Sequence, residues 1–186
     1  MIKFLQKSEF GGKEEKKIIL QAAITAIILA MLDQASKAVV VAEFTLGESI
    51  TIIPGFFNLT YITNKGAAWG ILHGKIWLLM LISTVVFVLI IWQIRTLTEG
   101  WNERYFAMAV IISGIIGNSI DRIWRKEVVD FLDFYIRVND KSYSWPAFNI
   151  ADSAITVGVI IYIASTLFRK SPNKNTVQAE DSSPAE

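Results

Sequence analysis

The chain has no cysteine and only one histidine, His73, among its 186 residues. Without cysteine it has no disulfides, no thiolate metal sites and no cysteine nucleophile. A single histidine excludes zinc sites built on paired histidines, so we expect neither a metal nor another cofactor. Charged residues make up only 19% of the chain and the net charge is +1, which gives no basis for nucleic-acid binding.

Apolar residues are abundant and lie in long runs. They make up 53% of the chain, and the mean hydropathy is +0.43. Four runs approach the ~20 residues that cross a bilayer as a helix: residues 18–41, 76–94, 105–120 and 148–168. The sequence therefore predicts an all-α membrane protein with four transmembrane helices. The first run carries Asp33 and is too long for a cleaved signal peptide.

The remaining segments are polar or β-prone. Residues 1–17 predict a charged cytoplasmic extension with a flexible break at Gly11-Gly12, residues 18–168 the membrane domain, and residues 169–186 a disordered cytoplasmic tail. The loop between the first two runs holds two β-prone segments, residues 49–53 and 56–62, around a Pro-Gly turn. We therefore expect a small extracytoplasmic β-cradle.

Lysine and arginine predict the orientation. With both termini in the cytoplasm, ten lie on the cytoplasmic side and seven outside, which follows the positive-inside tendency. The loop after the third run opposes this tendency, which indicates that its basic residues have another role. In this topology one side of the membrane receives Asp33, Lys37, Asn64, Gly66, Asn118, Asp121, Arg122, Asn149 and Asp152. Ionisable groups in a membrane usually face a bundle interior or a wet cavity, so this grouping predicts one extracytoplasmic site.

The residue types at this site restrict its chemistry. Asp33 and Lys37 are spaced i, i+4 on one helix face and predict a structural ion pair. Ser36 projects at another angle from Lys37, so a serine–lysine pair is a poor candidate. Two carboxylates held close together cannot both ionise easily, and such a pair hydrolyses amide bonds without a metal. The spacing leaves the choice of pair open among Asp33, Asp121, Asp130, Asp133 and Asp152.

Five motifs occur in one order along the chain. They are Asp33-Gln-Ala-Ser-Lys37, Asn64-Lys-Gly-Ala-Ala-Trp69, Gly114-Ile-Ile-Gly-Asn-Ser-Ile-Asp-Arg122, Val128-Val-Asp-Phe131 and Phe148-Asn-Ile-Ala-Asp152. In these motifs the chain resembles the bacterial lipoprotein signal peptidases, or signal peptidase II. The resemblance covers about residues 18–168 and excludes both tails.

The resemblance implies a function and a set of residue roles. The chain would be a membrane aspartic endopeptidase that removes signal peptides from diacylglyceryl-modified prolipoproteins, cutting N-terminal to the lipidated cysteine. The catalytic pair would be Asp130 and Asp152. Residues that contact the substrate, or brace the pair around it, would be Asn64, Gly66, Asn118, Arg122 and Asn149. Asp33, Lys37 and Asp121 would support the site, and the loop after the third run would form a lid-like surface helix.

The resemblance also implies a location and partners. We expect a monomer in the bacterial inner membrane, with its site facing outward, that meets prolipoprotein substrate and phospholipid but no nucleic acid. Two alternatives are a small transporter and a purely structural membrane subunit. A transporter needs a polar path, whereas the polar residues here occupy one leaflet and the cytoplasmic halves of the runs are apolar.

Overall fold

The structure is a computed structural model that describes residues 2–66, 71–139 and 141–168. In chain order its elements are α1 (Ile2–Glu43), β1 (Ser49–Ile53), β2 (Phe57–Asn64), α2 (Ile76–Trp92), α3 (Ile94–Thr98), α4 (Asn102–Trp124), β3 (Val128–Val138), β4 (Lys141–Ser144) and α5 (Ile150–Phe168). Among the described residues, three helices are long and apolar enough to cross a membrane, namely α1, α4 and α5. The apolar α2 has 17 residues and is shorter than these.

The all-α label and the count of four transmembrane helices are not confirmed. A small sheet was expected beside the helices, and the structure has an antiparallel sheet of four strands. Its strand order is β1-β2-β3-β4. The two strands predicted in the first loop are confirmed as β1 and β2. The described residues of the loop after the third run do not form the expected lid-like surface helix, since residues 128–138 and 141–144 form β3 and β4. β3 is rich in valine, isoleucine and aromatic residues, which favour strands, and it pairs along the length of β2.

The N-terminal segment also differs from its prediction. α1 begins at Ile2 and continues through Gly11 and Gly12, where we expected a break. Each glycine weakens a helix by only about 1 kcal/mol, so the surrounding helix formers outweigh the pair. The predicted tail, residues 169–186, lies outside the described residues, as do Ala67, Ala68 and Trp69 of the second motif.

Glycines allow the helices to pack closely around the site. A Cβ on Gly117 would lie 2.5 Å from Asp33 Oδ2 and 3.1 Å from the Ala151 Cβ. A Cβ on Gly114 would overlap the carbonyl oxygen of Ala151. The contacts of Gly114 and Gly117 bring α4 against α1 and the start of α5, as expected for small residues between membrane helices.

A second polar cluster lies at the opposite end of α4, beside the start of the third apolar run, and the sequence pattern did not predict it. Arg104 is buried, forms an ion pair with Glu99 at 3.0 Å, and donates a hydrogen bond to Ser165 at 3.1 Å. Between this cluster and the predicted site the core is apolar and includes Ala107 and Met108. The pattern missed the cluster because Ser165 and Glu99 are unremarkable alone and meet Arg104 only after folding.

Candidate active site

Asp130 is placed by the central strands of the sheet. It lies in β3 opposite Ile62 of β2, two residues before the end of that strand. Asn64, the last residue of β2, donates a hydrogen bond from Nδ2 to Oδ2 of Asp130 at 3.1 Å. Asp130 is 3% exposed. The antiparallel pairing of β2 and β3 therefore brings Asp130 into contact with Asn64, which lies 66 positions earlier in the sequence.

Asp152 is placed by the first turn of α5. Asn149 immediately precedes this helix, and its Oδ1 accepts the backbone N–H of Asp152 at 2.9 Å. In return Asp152 Oδ2 accepts the backbone N–H of Asn149 at 3.3 Å. Such reciprocal bonds satisfy helix N–H groups that have no partner within the helix. The local sequence thus fixes the backbone of Asp152 and one of its carboxylate oxygens.

Asn149 also links Asp152 to Asp130. Its Nδ2 donates to Asp130 Oδ1 at 2.7 Å and to the Val129 carbonyl at 3.2 Å. On the other side, Asn118 of α4 donates from Nδ2 to Asp152 Oδ1 at 2.7 Å. Asn149 is fully buried. Two asparagine amides therefore hold the two carboxylates at fixed positions relative to each other.

The two aspartates line one cavity of about 620 Å³. Its polar side also includes Asn64, Gly66, Asn118 and Arg122. Its apolar side is formed by residues of the segment before α5 and of α5 itself: Trp145, Pro146, Ala147, Phe148, Ile155 and Val157. A cavity with a few polar groups on one side and apolar walls elsewhere is typical of a small-ligand or peptide site.

The environment of Asp130 raises the pKa of its carboxyl group to about 7. The main cause is burial, which penalises the charged form, and the second is the nearby charge of Asp152. Hydrogen bonds from Asn64 and Asn149 and the charge of Lys37 act in the opposite direction. Asp130 is therefore a carboxyl group that holds a proton near neutral pH.

Arg122 supplies a cation to the cavity. It lies one turn after Asn118 on α4, and its guanidinium is 3.5 Å from the carbonyl oxygens of Asn118 and Gly66. Gly66 is held in turn by its N–H, which donates to Asn64 Oδ1 at 2.8 Å. A Cβ at Gly66 would lie 2.8 Å from the Ile71 carbonyl, so this turn requires glycine. Arg122 is thus held by long contacts to carbonyls at the rim of the polar side.

Behind the cavity, Lys37 forms the centre of a buried ionic cluster. Its Nζ lies 2.9 Å from Asp33 Oδ2 and 2.9 Å from Asp121 Oδ2, and it donates to Asn118 Oδ1 at 3.0 Å. All three charged side chains are at most 1% exposed. Arg125 pairs with the other oxygen of Asp121 at 2.6 Å. The predicted Asp33–Lys37 pair is present and belongs to a larger cluster.

The structure brings all ten predicted site residues into one region. Six of them line the cavity, namely Asn64, Gly66, Asn118, Arg122, Asp130 and Asp152. The other four, Asp33, Lys37, Asp121 and Asn149, are buried behind it. Asp133, which the spacing had left open as an alternative, pairs with Asn58 at 2.9 Å and does not line the cavity.

Sequence reasoning missed several contributors to the region. Gln34 donates to Asp33 and to the Gly117 carbonyl, and Arg125 pairs with Asp121. The i, i+4 spacing of Asp121 and Arg125 was a usable signal for the second contact. The apolar wall from Trp145 to Phe148 carried no signal, because its residues are ordinary in a loop. Within the described residues, no group of three or more potential metal-ligating side chains occurs.

Comparison with known proteins identifies the family of this chain. A family model described as Signal peptidase (SPase) II matches residues 25–168, which include every residue of the cavity. The chain belongs to the signal peptidase II family. Membership makes it a peptidase and an integral membrane protein, and the resemblance in the five motifs is confirmed. The alternatives of a transporter and a structural subunit are set aside.

Individual relatives of the peptidase match over most of its length. It is 38% identical over 162 residues to a lipoprotein signal peptidase of Desulforapulum autotrophicum, covering 84% of this chain and 98% of the relative. It is 43% identical over 149 residues to one of Geobacillus kaustophilus, covering 80% and 94%. A solved bacterial membrane enzyme, determined by the in meso method, superposes with a TM-score of 0.71 at 31% identity, covering 89% of this chain and 93% of that one.

Proposed function

We propose that this peptidase is an aspartic endopeptidase that removes signal peptides from diacylglyceryl-modified prolipoproteins, cutting N-terminal to the lipidated cysteine. The observation that carries the proposal is the linkage of Asp130 and Asp152 through Asn149 at one cavity. The family and the names of the relatives supply the substrate class. The absence of cysteine and the single histidine leave few other groups for amide hydrolysis.

The two carboxyl groups take different roles in this proposal. Asp130, whose pKa is about 7, carries the shared proton. Asp152 accepts N–H donors from Asn118 and Asn149 at the N-terminus of α5, which suits the ionised member of the pair. Asp152 takes a proton from water, whose oxygen attacks the scissile carbonyl carbon. Asp130 protonates the carbonyl oxygen, which gives a tetrahedral gem-diol. Asp152 then gives the proton taken from water to the amine nitrogen, the C–N bond breaks, and Asp130 recovers its proton from a hydroxyl of the gem-diol.

The remaining cavity residues bind the substrate around this pair. Among the described residues the Arg122 guanidinium has two hydrogen bonds of 3.5 Å to carbonyl oxygens, which are long enough to leave it available to bind a peptide carbonyl or a headgroup oxygen. Asn64 and Gly66 lie beside Arg122, since the Gly66 carbonyl contacts Arg122 and the Gly66 N–H donates to Asn64. The apolar wall on α5 continues from the cavity along the helix as Ile155 and Val157. Acyl chains on the substrate cysteine would keep the scissile bond at this depth of the membrane.

We further propose that the peptidase acts as a monomer in the bacterial inner membrane, with both termini in the cytoplasm. In this arrangement α2 is the fourth transmembrane helix. Its 17 residues extend roughly 25 Å, close to the ~30 Å hydrocarbon thickness. The sheet and the cavity then lie on the outer side, and phospholipid surrounds the apolar helix faces.

A cleavage assay with matched peptides tests the function. Purified peptidase in detergent or nanodiscs is incubated with a precursor peptide whose cysteine carries diacylglycerol, and products are identified by mass spectrometry. We expect one cut, directly N-terminal to the modified cysteine. Cleavage of the unmodified peptide at the same rate would contradict the requirement for lipid. No cleavage of the lipidated peptide by a folded enzyme would overturn the proposal.

A further inference from the structure

The buried cluster behind the cavity connects to both aspartates by separate routes. One route runs through Asp33, whose Oδ1 accepts the backbone N–H of Ala151 at 2.8 Å, next to Asp152. Another runs through Asp121, whose Oδ2 lies 3.3 Å from the backbone N of Val129, next to Asp130. The cluster therefore holds the backbone immediately before each aspartate.

The third route runs through the side chain of Asn118 and depends on its orientation. The ammonium of Lys37 has only hydrogens to donate, so Asn118 must present Oδ1 to it. This orientation leaves Nδ2 to donate to Asp152 at 2.7 Å, whereas a reversed amide would place its oxygen against a carboxylate oxygen. Asn149 Nδ2 also lies 3.2 Å from Asn118 Oδ1. This nitrogen has two hydrogens and three acceptors within reach, namely Asn118 Oδ1, the Val129 carbonyl and Asp130 Oδ1, and Asp130 is the nearest. Lys37 therefore holds Asn118 in the orientation that directs Nδ2 to Asp152, whether Asp152 is ionised or protonated.

We propose that Lys37 is a positioning residue for both aspartates and acts chiefly by fixing the Asn118 amide. This inference rests on the proposed function and deepens it, because it assigns to an ion pair a role in the reaction rather than in stability alone. Lys37 does not line the cavity and does not touch substrate. Its ammonium is bonded to each of Asp33, Asp121 and Asn118.

The charged groups around Lys37 determine which variant can test its role as a positioning residue. Asp33 faces it from α1 and Asp121 from α4, with Arg125 on the far side of Asp121 and the two cavity aspartates beyond Asn118. Lys37→Met alone leaves Asp33 as a buried charge without its cation, which is strongly destabilising. The double variant Asp33→Asn/Lys37→Met removes one charge of each sign and leaves Asp121 with Arg125.

The double variant preserves the backbone contacts of the cluster. The asparagine that replaces Asp33 still has an Oδ1 atom to accept the Ala151 N–H, and Asp121 still faces Val129. The chief donor that orients Asn118 is lost. We expect the melting temperature to return near that of the unmutated enzyme. We expect kcat for the lipidated peptide to fall about 10–100-fold, because displacing a reacting group by about an ångström has an effect of this size. We expect KM to change by no more than about twofold.

A pH profile supplies a readout that a purely structural role would not move. Loss of the Lys37 cation removes a charge that favours the ionised form of Asp130. The alkaline limb of the kcat–pH profile should therefore move to higher pH in the double variant. Arg104→Met is the matched control, since it removes a buried cation from the opposite end of α4. It should lower thermal stability without changing kcat per folded molecule or the pH profile.

The outcomes separate the two proposals. If the unmutated enzyme does not cleave the lipidated peptide, the proposed function fails. If it cleaves and the double variant keeps full kcat with an unchanged pH profile, only the role of Lys37 is overturned. A double variant that cannot fold also overturns it, since Lys37 would then be a requirement of the fold. Lowered kcat in a stable protein with a shifted alkaline limb supports the inference.

Discussion

The side-chain amide of Asn149 donates a hydrogen bond to Asp130 at 2.7 Å across 19 positions of sequence. The same residue accepts the backbone N–H of Asp152, three positions further on. One buried asparagine therefore connects a strand aspartate to a helix aspartate. An amide is neutral and carries both a donor and an acceptor, so it serves this purpose without adding a third charge to the pair.

Neutral replacements of the two aspartates test the pair directly. Asp130→Asn and Asp152→Asn keep size but remove the titrating group, and each should lower turnover about 10²–10⁴-fold. The double replacement should be little worse than either single one, because groups that act as a unit are non-additive. Turnover of the lipidated peptide is the measurement. Asp133→Asn, three positions along the same strand and outside the cavity, is the control and should stay near normal.

The pH dependence of activity follows from Asp130. The pair works when Asp130 is protonated and Asp152 ionised, so kcat should fall on the alkaline side near pH 7. It should fall again at acidic pH as the second carboxyl group takes a proton, giving a bell-shaped profile that belongs to the pair. Asn64→Leu removes a hydrogen bond that lowers the pKa of Asp130 and should move the alkaline limb to higher pH. A limb that does not move would show that Asn64 does not contact the titrating group.

The same pKa predicts how stability changes with pH. Asp130 titrates near 3.8 in the unfolded chain and near 7 when folded, so the folded state binds its proton more tightly. The resulting stabilisation is complete below pH 4 and is lost as the pH rises to 7, on the order of 4 kcal/mol at most. Asp130→Asn does not titrate. We therefore expect the melting temperature of the variant, minus that of the unmutated enzyme, to increase from pH 4 to pH 8 when both are measured by thermal unfolding. A difference that stays constant with pH would contradict the raised pKa of Asp130.

Close packing of α4 against α5 should make Gly114 intolerant of a side chain. Gly114→Ala places a Cβ against the Ala151 backbone, which cannot move aside as a side chain can. We expect a loss of about 1–3 kcal/mol in unfolding free energy, together with reduced turnover, because Asp152 follows Ala151. Gly12→Ala is the matched control, since nothing lies within 4 Å of its Cβ. That variant should be neutral or slightly more stable.

Membrane orientation can be tested with single cysteines in this cysteine-free chain. Ser142, in β4, and Thr96, in α3, are both exposed and lie on opposite sides in the proposed topology. In intact cells an impermeant thiol reagent should label Ser142→Cys and spare Thr96→Cys. Labelling of both after lysis is the control. Labelling of Thr96→Cys in intact cells would invert the proposed orientation.

Local patterns in the sequence predicted most of the helices, the first β-hairpin and the grouping of the site residues. Long apolar runs predict the helices, since a helix satisfies its backbone groups within a single segment of the bilayer. The helices α1, α4 and α5 lie within or around their predicted runs. The β-prone runs around Pro54-Gly55 predict the β1–β2 hairpin. The common polarity of the helix ends predicts one site, and the spacing of Asp33 and Lys37 predicts their contact.

Only the tertiary structure decided which groups meet across the chain. β3 pairs with β2 as an antiparallel strand, and this pairing takes the place of the expected surface helix. The contacts of Lys37 with Asp121 and Asn118 join α1 to α4 across more than 80 positions, which no local spacing encodes. Periodicity determines which face of a helix is polar, whereas the partner of each polar group depends on how the helices and strands pack. The sequence by itself determined the helices and the kinds of residue at the site, and packing determined the connections among them.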